Sequence, residues 1–366
     1  MPELEALVDE AERQFTICNA CRYCEDYCPV FPAMERRSLF DEGDLGYIAN
    51  LCHDCRACHQ ACMYTEPHDF AINIPALMAE ARVASYQRYT RPRWFARAFE
   101  SGPRALTLLT LASIAVLTAI YALLGDVGAL ASKHDALYDV VGHLAMAVPA
   151  LLLSAYAIVV LALGLRSFWK DAGAAPRDLL SPALWSTALR EIAAHRWMRG
   201  GGGECYFPEE DRPSPRRRRA HAAVLYGFTA TFAATVWAFV QETVFASHPP
   251  YPLLSGPVLL GLLGGIAVVA GGLGLLALNA RDETRLSTGR SRTLGRSFLL
   301  ALLAVAVTGL ALLVVRSTSA IGIVLIVHLA TIAVLYVTAP YGKLVHAVYR
   351  TGAVLHSVAE RRAPAG

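Results

Sequence analysis

The residues best equipped for chemistry are eight cysteines in two runs of one pattern, CNACRYCEDYC and CHDCRACHQAC. Each reads C-x-x-C-x-x-C-x-x-x-C, with Cys18, Cys21, Cys24 and Cys28 in the first run and Cys52, Cys55, Cys58 and Cys62 in the second. In that spacing three thiolates hold one 4Fe–4S cube, while the fourth reaches across to a second cube. By the usual crossover, Cys18, Cys21 and Cys24 with Cys62 hold one cluster, and Cys52, Cys55 and Cys58 with Cys28 hold the other. A zinc site takes four ligands and has no use for two interleaved quartets. A disulfide framework belongs to small secreted domains, whereas this chain has 366 residues, a polar, acidic N-terminus and no stretch reading as a signal peptide. Two clusters in a row point to conduction of single electrons, since a dead-end structural cluster would not need a neighbour.

Pro29 follows the first run, as the bacterial ferredoxin pattern expects, and turns the chain away from the cluster. Met63 stands at the matching place after the second run, so the turn there is open. His53, His59 and His68 lie near the cysteines and read as surface or supporting groups, because the thiolates already suffice as ligands.

The elements that must position these groups are read from composition, which changes near Arg104. Residues 1–104 carry 16 acidic against 11 basic residues, and the remainder carries 14 against 22 with long apolar stretches. Six stretches are long and apolar enough to span a bilayer, roughly 105–124, 140–165, 221–245, 253–278, 298–316 and 320–340, the last extending as a helix to about Arg350. The fold expected is all-α dominated: a small bacterial-ferredoxin-like two-cluster domain over residues 1–104, then a six-helix transmembrane bundle over 105–350 with a long loop at 166–220, and a tail at 351–366. Lys and Arg number 20 in the connections on one side of these spans and two on the other. The positive-inside rule then puts both termini in the cytoplasm of a multi-pass protein of the bacterial inner membrane. Arg216 to Arg219, at the end of the Gly- and Pro-marked loop, fix topology and touch anionic lipid heads of the bilayer. The glycines of GLLGGIAVVAGGLG in the fourth span read as close helix packing. Cys205, the ninth cysteine, reads as a free thiol without assigned function.

Histidine inside a span is a functional signal. His328 and His346, 18 residues apart, fall on one face of a continuous helix, about 27 Å apart along it. Depth pairs His221 with His346 near the inner face and His143 with His328 further out, each a candidate bis-histidine haem b site, so one or two haems are expected. Interfacial packing is the competing reading for these four. His134, His195, His248 and His356 fall in connections or the tail and are expected to be silent.

The segment HLATIAVLYVTAPYGKLVHAVYR, from His328 to Arg350, resembles the last haem-binding helix of respiratory nitrate reductase gamma-type cytochromes b and their relatives in heterodisulfide reductases. Carried over by position, His328 matches the outer ligand and His346 the inner one. RRRRAHAAVLYGF resembles the partner helix, with the inner-haem ligand at His221; that family's second histidine, ten residues on, is Thr231 here. His143, on another span, is a substitute ligand rather than a matched one. Taken whole, the chain resembles the tricarballylate or citrate utilization protein B family, including the C-terminal half of a fused cobalamin-synthesis oxidoreductase. The resemblance implies a wire that takes electrons from an FAD-dependent dehydrogenase partner and passes them through clusters and haem toward membrane quinone.

No G-x-G-x-x-G turn opens a helix after a strand, so flavin and nicotinamide are expected on the partner, and nothing points to nucleic acid. Tyr341, Lys343, Gln241 and Glu242 are polar groups at depths suited to a quinone, though each also suits an interfacial anchor. Whether the chain turns over anything alone, beyond quinone, is left open. The alternative is a membrane iron–sulfur redox sensor or assembly factor without haem. A transporter is disfavoured by the nearly charge-free span centres.

Overall fold

Each cysteine run needs its chain bent sharply around a group, and the same residue does this in both. Arg22 follows Cys21 and Arg56 follows Cys55, and both adopt left-handed backbone, at φ 56° and 67°. The turns that follow also match, with Glu25 N–H donating to the Arg22 carbonyl at 3.1 Å and His59 N–H to the Arg56 carbonyl at 3.0 Å. Left-handed conformations are uncommon outside glycine and gather where function demands them.

The computed structural model describes residues 4–98, 102–124, 130, 141–200, 206–209, 212–281 and 284–363; His134 and Cys205 lie outside them. Helices in chain order are α1 (Val8–Cys21), α2 (Val30–Glu35), α3 (Glu42–Leu51), α4 (Ala57–Gln60), α5 (Ile74–Tyr89), α6 (Arg93–Ala98), α7 (Pro103–Leu124), α8 (His143–Asp171), α9 (Pro182–Ala193), α10 (Arg216–Phe245), α11 (Gly256–Arg281), α12 (Gly289–Val315), α13 (Ile321–Thr338) and α14 (Val345–Arg362). Among the described residues the strands are β1 (Tyr206–Glu209) and β2 (Arg212–Ser214), one antiparallel pair. The architecture is thus all-α dominated, with six helices, α7, α8 and α10–α13, long and apolar enough to cross a membrane.

Local chemistry starts these helices where it should. Pro29 opens α2 from its N-cap position. Asp41 and Asp44 form a capping box at α3. Asn73 accepts from Ala76 N–H at 3.1 Å to start α5, with Pro75 in the first turn. After Cys62 the open turn brings Tyr64 N–H to the Cys62 sulfur at 3.4 Å, as Val30 N–H meets the Cys28 sulfur after the first run.

The long helices meet through glycine. A Cβ on Gly227 of α10 would lie 2.8 Å from the Gly264 carbonyl of α11, and one on Gly271 2.6 Å from the Ala220 carbonyl. The two backbones are therefore in direct contact, which fixes the start of α10 next to His221. Elsewhere the long helices turn apolar side chains outward, with Leu108, Leu152 and Ile158 about two-thirds exposed, as a lipid-facing surface requires.

One expectation fails at the last span. The helix does not run on to Arg350 but stops at Thr338 and restarts at Val345. Pro340 has no N–H to give back and its ring collides with the carbonyl four residues earlier. Tyr341 and Gly342 instead both donate to the Thr338 carbonyl, at 3.0 and 2.8 Å. His328 and His346 therefore sit on separate helices, and the five-turn alignment does not apply.

Residues expected as a tail form most of α14, whose Tyr349, Ala353, Leu355 and Val358 are buried. They join Phe15, Met34, Tyr47 and Met78 of the cysteine domain and Phe168 of α8 in one apolar core. Burying each such side chain contributes about 1.5–3 kcal/mol, so the cysteine domain is fastened to the long helices rather than tethered. Ion pairs close the rim: Arg37 with Asp44 and Glu360, Arg290 with Glu80, and Arg88 with Asp171 and Glu42.

Candidate metal centres

All eight described cysteines are free thiols, and folding sorts them into two groups. Cys18, Cys21, Cys24 and Cys62 line one hollow, together with Ile17, Phe31 and Ile72. Cys28 lies in electrostatic reach first of Cys55 and Cys52, and Cys58 first of Cys55, Cys28 and Cys52, with Cys24 a lesser neighbour of both. Each group thus takes three thiols from one run and the fourth from the other. Burial, and then the neighbouring thiols, push Cys18 and Cys24 up to about 12. Four thiolates in such a place need a positive centre to ionise against, which a bound metal would supply. Among the described residues no three Cys, His, Asp or Glu side chains close on a point that a single ion would occupy.

The second group faces the long helices. Arg82 of α5 and Arg350 of α14 both donate to the Cys52 carbonyl, at 3.0 and 2.8 Å. Asp54 N–H points at the Cys52 sulfur at 3.5 Å. The Asp54 carboxylate meets Arg217 of α10 at 3.3 Å. Burial alone would raise Asp54, yet Arg56, Arg217 and Arg82 hold it well below the usual carboxylate range. Met198 packs against Cys55 from the connection after α9. Residues from four parts of the chain therefore surround the second cysteine run.

His346 lies one turn before Arg350 on α14, and its Nδ1 contacts the Lys343 carbonyl closely. A carbonyl only accepts, so Nδ1 carries the proton and Nε2 keeps its lone pair. Burial, and then Arg350, push His346 well below the ordinary histidine range, so the ring is neutral; His221 and Lys343 are among the other charges it feels. Burial likewise pulls Lys343 down to about 8. Phe298 of α12 lies beside His346, ring centroids 6.1 Å apart.

His221, on the first turns of α10, is held from the other side. His195 Nδ1 is 3.0 Å from the Ala193 carbonyl, and His195 Nε2 is 3.0 Å from His221 Nδ1. The carbonyl takes the Nδ1 proton of His195; His195 is neutral because burial lowers it, so its Nε2 accepts from His221 Nδ1–H. The lone pair of His221 then sits on Nε2. His221 and His346 thus each have Nδ1 engaged and Nε2 available, the state in which a histidine can serve as an axial ligand of a haem iron.

His143 and His328 are placed differently. His143 stacks on Phe239 of α10 with centroids 6.4 Å apart. His328 Nδ1 bonds to Thr308 Oγ1 of α12 at 2.9 Å, and its ring lies over Gly309. No contact among the described residues joins the two. Of the polar groups considered for a quinone, Tyr341 Oη bonds to Tyr156 Oη at 2.6 Å and donates to the Arg91 carbonyl at 3.1 Å. Lys343 is buried beside Gly295. Glu242 pairs with His248 at 2.7 Å at the far end of α10, next to Gln241.

Comparison with known proteins finds two family models along the chain. Residues 11–88 match the family model "Citrate utilization protein B Fer4-like domain", and residues 100–366 match "Citrate utilization protein B". Citrate utilization protein B of Escherichia coli is 38% identical over 375 residues, covering 99% of this chain and 97% of that protein. The chain belongs to the citrate utilization protein B family. Its N-terminal domain is of the ferredoxin type, a type that binds iron–sulfur clusters. No solved structure matches the chain.

Within this family member, sequence reasoning passed over several residues of the centre. His195 was expected to be silent in a connection, yet it is 7% exposed and bonded to His221. His356, dismissed as a tail residue, is 8% exposed between Tyr47 and Trp169 and 3.4 Å from Glu360. Arg82 and Arg350 read as ordinary basic residues, and only the fold brings them to Cys52. His53 was read as a surface or supporting group; it is half-buried beside Cys52 in the chain and feels the charges of Arg350 and His221. His68, in contrast, lies at the surface against Tyr64 and Phe70.

Proposed function

We propose that this protein is a membrane electron-transfer subunit, taking electrons from a cytoplasmic FAD-dependent dehydrogenase and delivering them to membrane quinone, with two 4Fe–4S clusters and one b-type haem as carriers. The observation that carries this reading is the junction at Cys52. Arg350 donates to the Cys52 carbonyl and stands one turn from His346, so a cluster-type cysteine run and a haem-type histidine pair share one rigid block.

In this reading Cys18, Cys21, Cys24 and Cys62 hold one cluster, and Cys28, Cys52, Cys55 and Cys58 hold the other. His221 and His346 offer Nε2 to the haem iron. Bound there, these groups exchange one electron at a time, which couples a two-electron flavin donor to a membrane acceptor. Arg82 and Arg350, buried beside Cys52, offset the negative charge of a thiolate-ligated cluster and favour its reduced form. The apolar core packs against most of the cysteines, while Cys21 stands exposed. The Lys- and Arg-rich connections, on the cysteine-domain side of the six helices, support a cytoplasmic side for that domain by the positive-inside rule. The name of the Escherichia coli relative makes citrate-type tricarboxylates the first substrates to test on the dehydrogenase partner.

The test is reconstitution. In liposomes holding a short-chain quinone, a reduced flavoprotein partner should reduce the quinone only when this chain is present, and Cys52→Ser should stop it. Turnover of a tricarboxylate by the isolated chain, or quinone reduction unaffected by Cys52→Ser, would contradict the proposal.

A further inference from the structure

We infer that His195 is a positioning residue for His221: it fixes the tautomer and orientation of that ring and so sets how strongly, and at what potential, haem iron is held at Nε2. The inference rests on the haem reading above and goes beyond it by assigning the residue behind the ligand.

The local backbone shows what His195 is for. It follows the C-terminus of α9, where a left-handed residue commonly ends a helix, and its φ is 49°. Glycine or asparagine suits that position; another residue costs about 1–2 kcal/mol there. The strain is offset by what the side chain reaches: Nδ1–H donates to the Ala193 carbonyl at 3.0 Å, and Nε2 accepts from His221 at 3.0 Å with the rings nearly perpendicular. The Ala193 carbonyl is itself gripped by the Tyr226 hydroxyl, five residues beyond His221 on α10. Two contacts from one helix end therefore clamp the same stretch of α10.

The clamp is anchored independently of the ring. Glu191, 5% exposed, accepts from Arg361 of α14 at 3.1 and 2.9 Å and from Trp197 Nε1 at 2.9 Å. The connection that carries His195 is thus tied to α14, the helix of His346, while His195 itself reaches α10, the helix of His221. Histidine ligands depend on such partners: an acceptor at Nδ1 raises the basicity of Nε2, and removing it typically weakens metal binding about 10–100-fold.

The experiment compares His195→Asn, His195→Gln and wild type as detergent-purified full chains. The readouts are haem b content and affinity, haem spectrum and midpoint potential, with iron, sulfide and melting temperature measured alongside. Asparagine suits the left-handed backbone but is too short to reach His221, so it separates strain from the hydrogen bond. We expect His195→Asn to keep clusters and melting temperature, lose about 10–100-fold in haem affinity, and raise the midpoint potential of any haem retained. Glutamine, whose amide oxygen accepts at similar reach, should recover most of both. Wild-type haem affinity and potential in His195→Asn would overturn the role of His195. Joint loss of haem, clusters and melting temperature would make the residue structural and overturn it equally. A wild-type protein with both clusters and no haem would instead overturn the haem reading, and this inference with it.

Discussion

At the residue scale, the crossover of the cysteines makes a prediction that spacing within one run does not. Cys62→Ser, 38 positions beyond Cys24, should destroy the same cluster as Cys24→Ser and leave the other intact, read as identical remaining EPR signals and half the wild-type iron. The histidines divide similarly. His346→Ala should abolish the haem spectrum, while His328→Ala, whose ring is occupied by Thr308 and Gly309, should leave it. His356→Ala should leave the spectrum too, but not the protein unaffected. It removes a buried ring from between Tyr47 and Trp169 and should cost on the order of 2 kcal/mol, seen as a lower melting temperature. The thiols were legible because a cluster motif is local and every ligand is spaced within it. His195 was not, because its importance lies in a bond to a residue 26 positions away, and its only local sign is a histidine where a helix end prefers glycine.

At the element scale, the six apolar helices were readable from composition alone, though polar helical turns extend three of them beyond the expected bounds, by nine residues at the start of α12. Their pairing was partly readable, since the glycines of α11 meet α10 directly. Gly271→Leu should drive α11 off the Ala220 carbonyl and displace His221, with haem lost while the clusters remain. What hydropathy missed is the break between α13 and α14. The apolar run continues through Pro340, and a window average cannot register one missing hydrogen bond. That break lets α14 turn back into the cysteine domain, although residues 351–366 had read as a tail. The clamp after α9 was equally hidden, because a short amphipathic helix in a connection looks like any surface helix. Glu191→Ala should leave Arg361 and Trp197 without their acceptor, costing about 2 kcal/mol and lowering the melting temperature.

At the scale of the whole molecule, the cysteine domain, the inner ends of α8, α10 and α12, and α14 form one body with a shared core. Electron transfer needs fixed separations between carriers, and a common core provides them where a flexible linker would not. The acidic first hundred residues and the basic connections come to the same side of the six helices. The central claim is that cluster-type and haem-type sites share this block, and the most direct measurement is stoichiometry. Haem b by pyridine haemochrome, non-haem iron and acid-labile sulfide should be determined per polypeptide of the detergent-purified full chain. The account predicts iron and sulfide at the level of two cubes together with one haem b, held by His221 and His346. Two-cube iron and sulfide without haem, in protein purified from haem-replete cells, would contradict it.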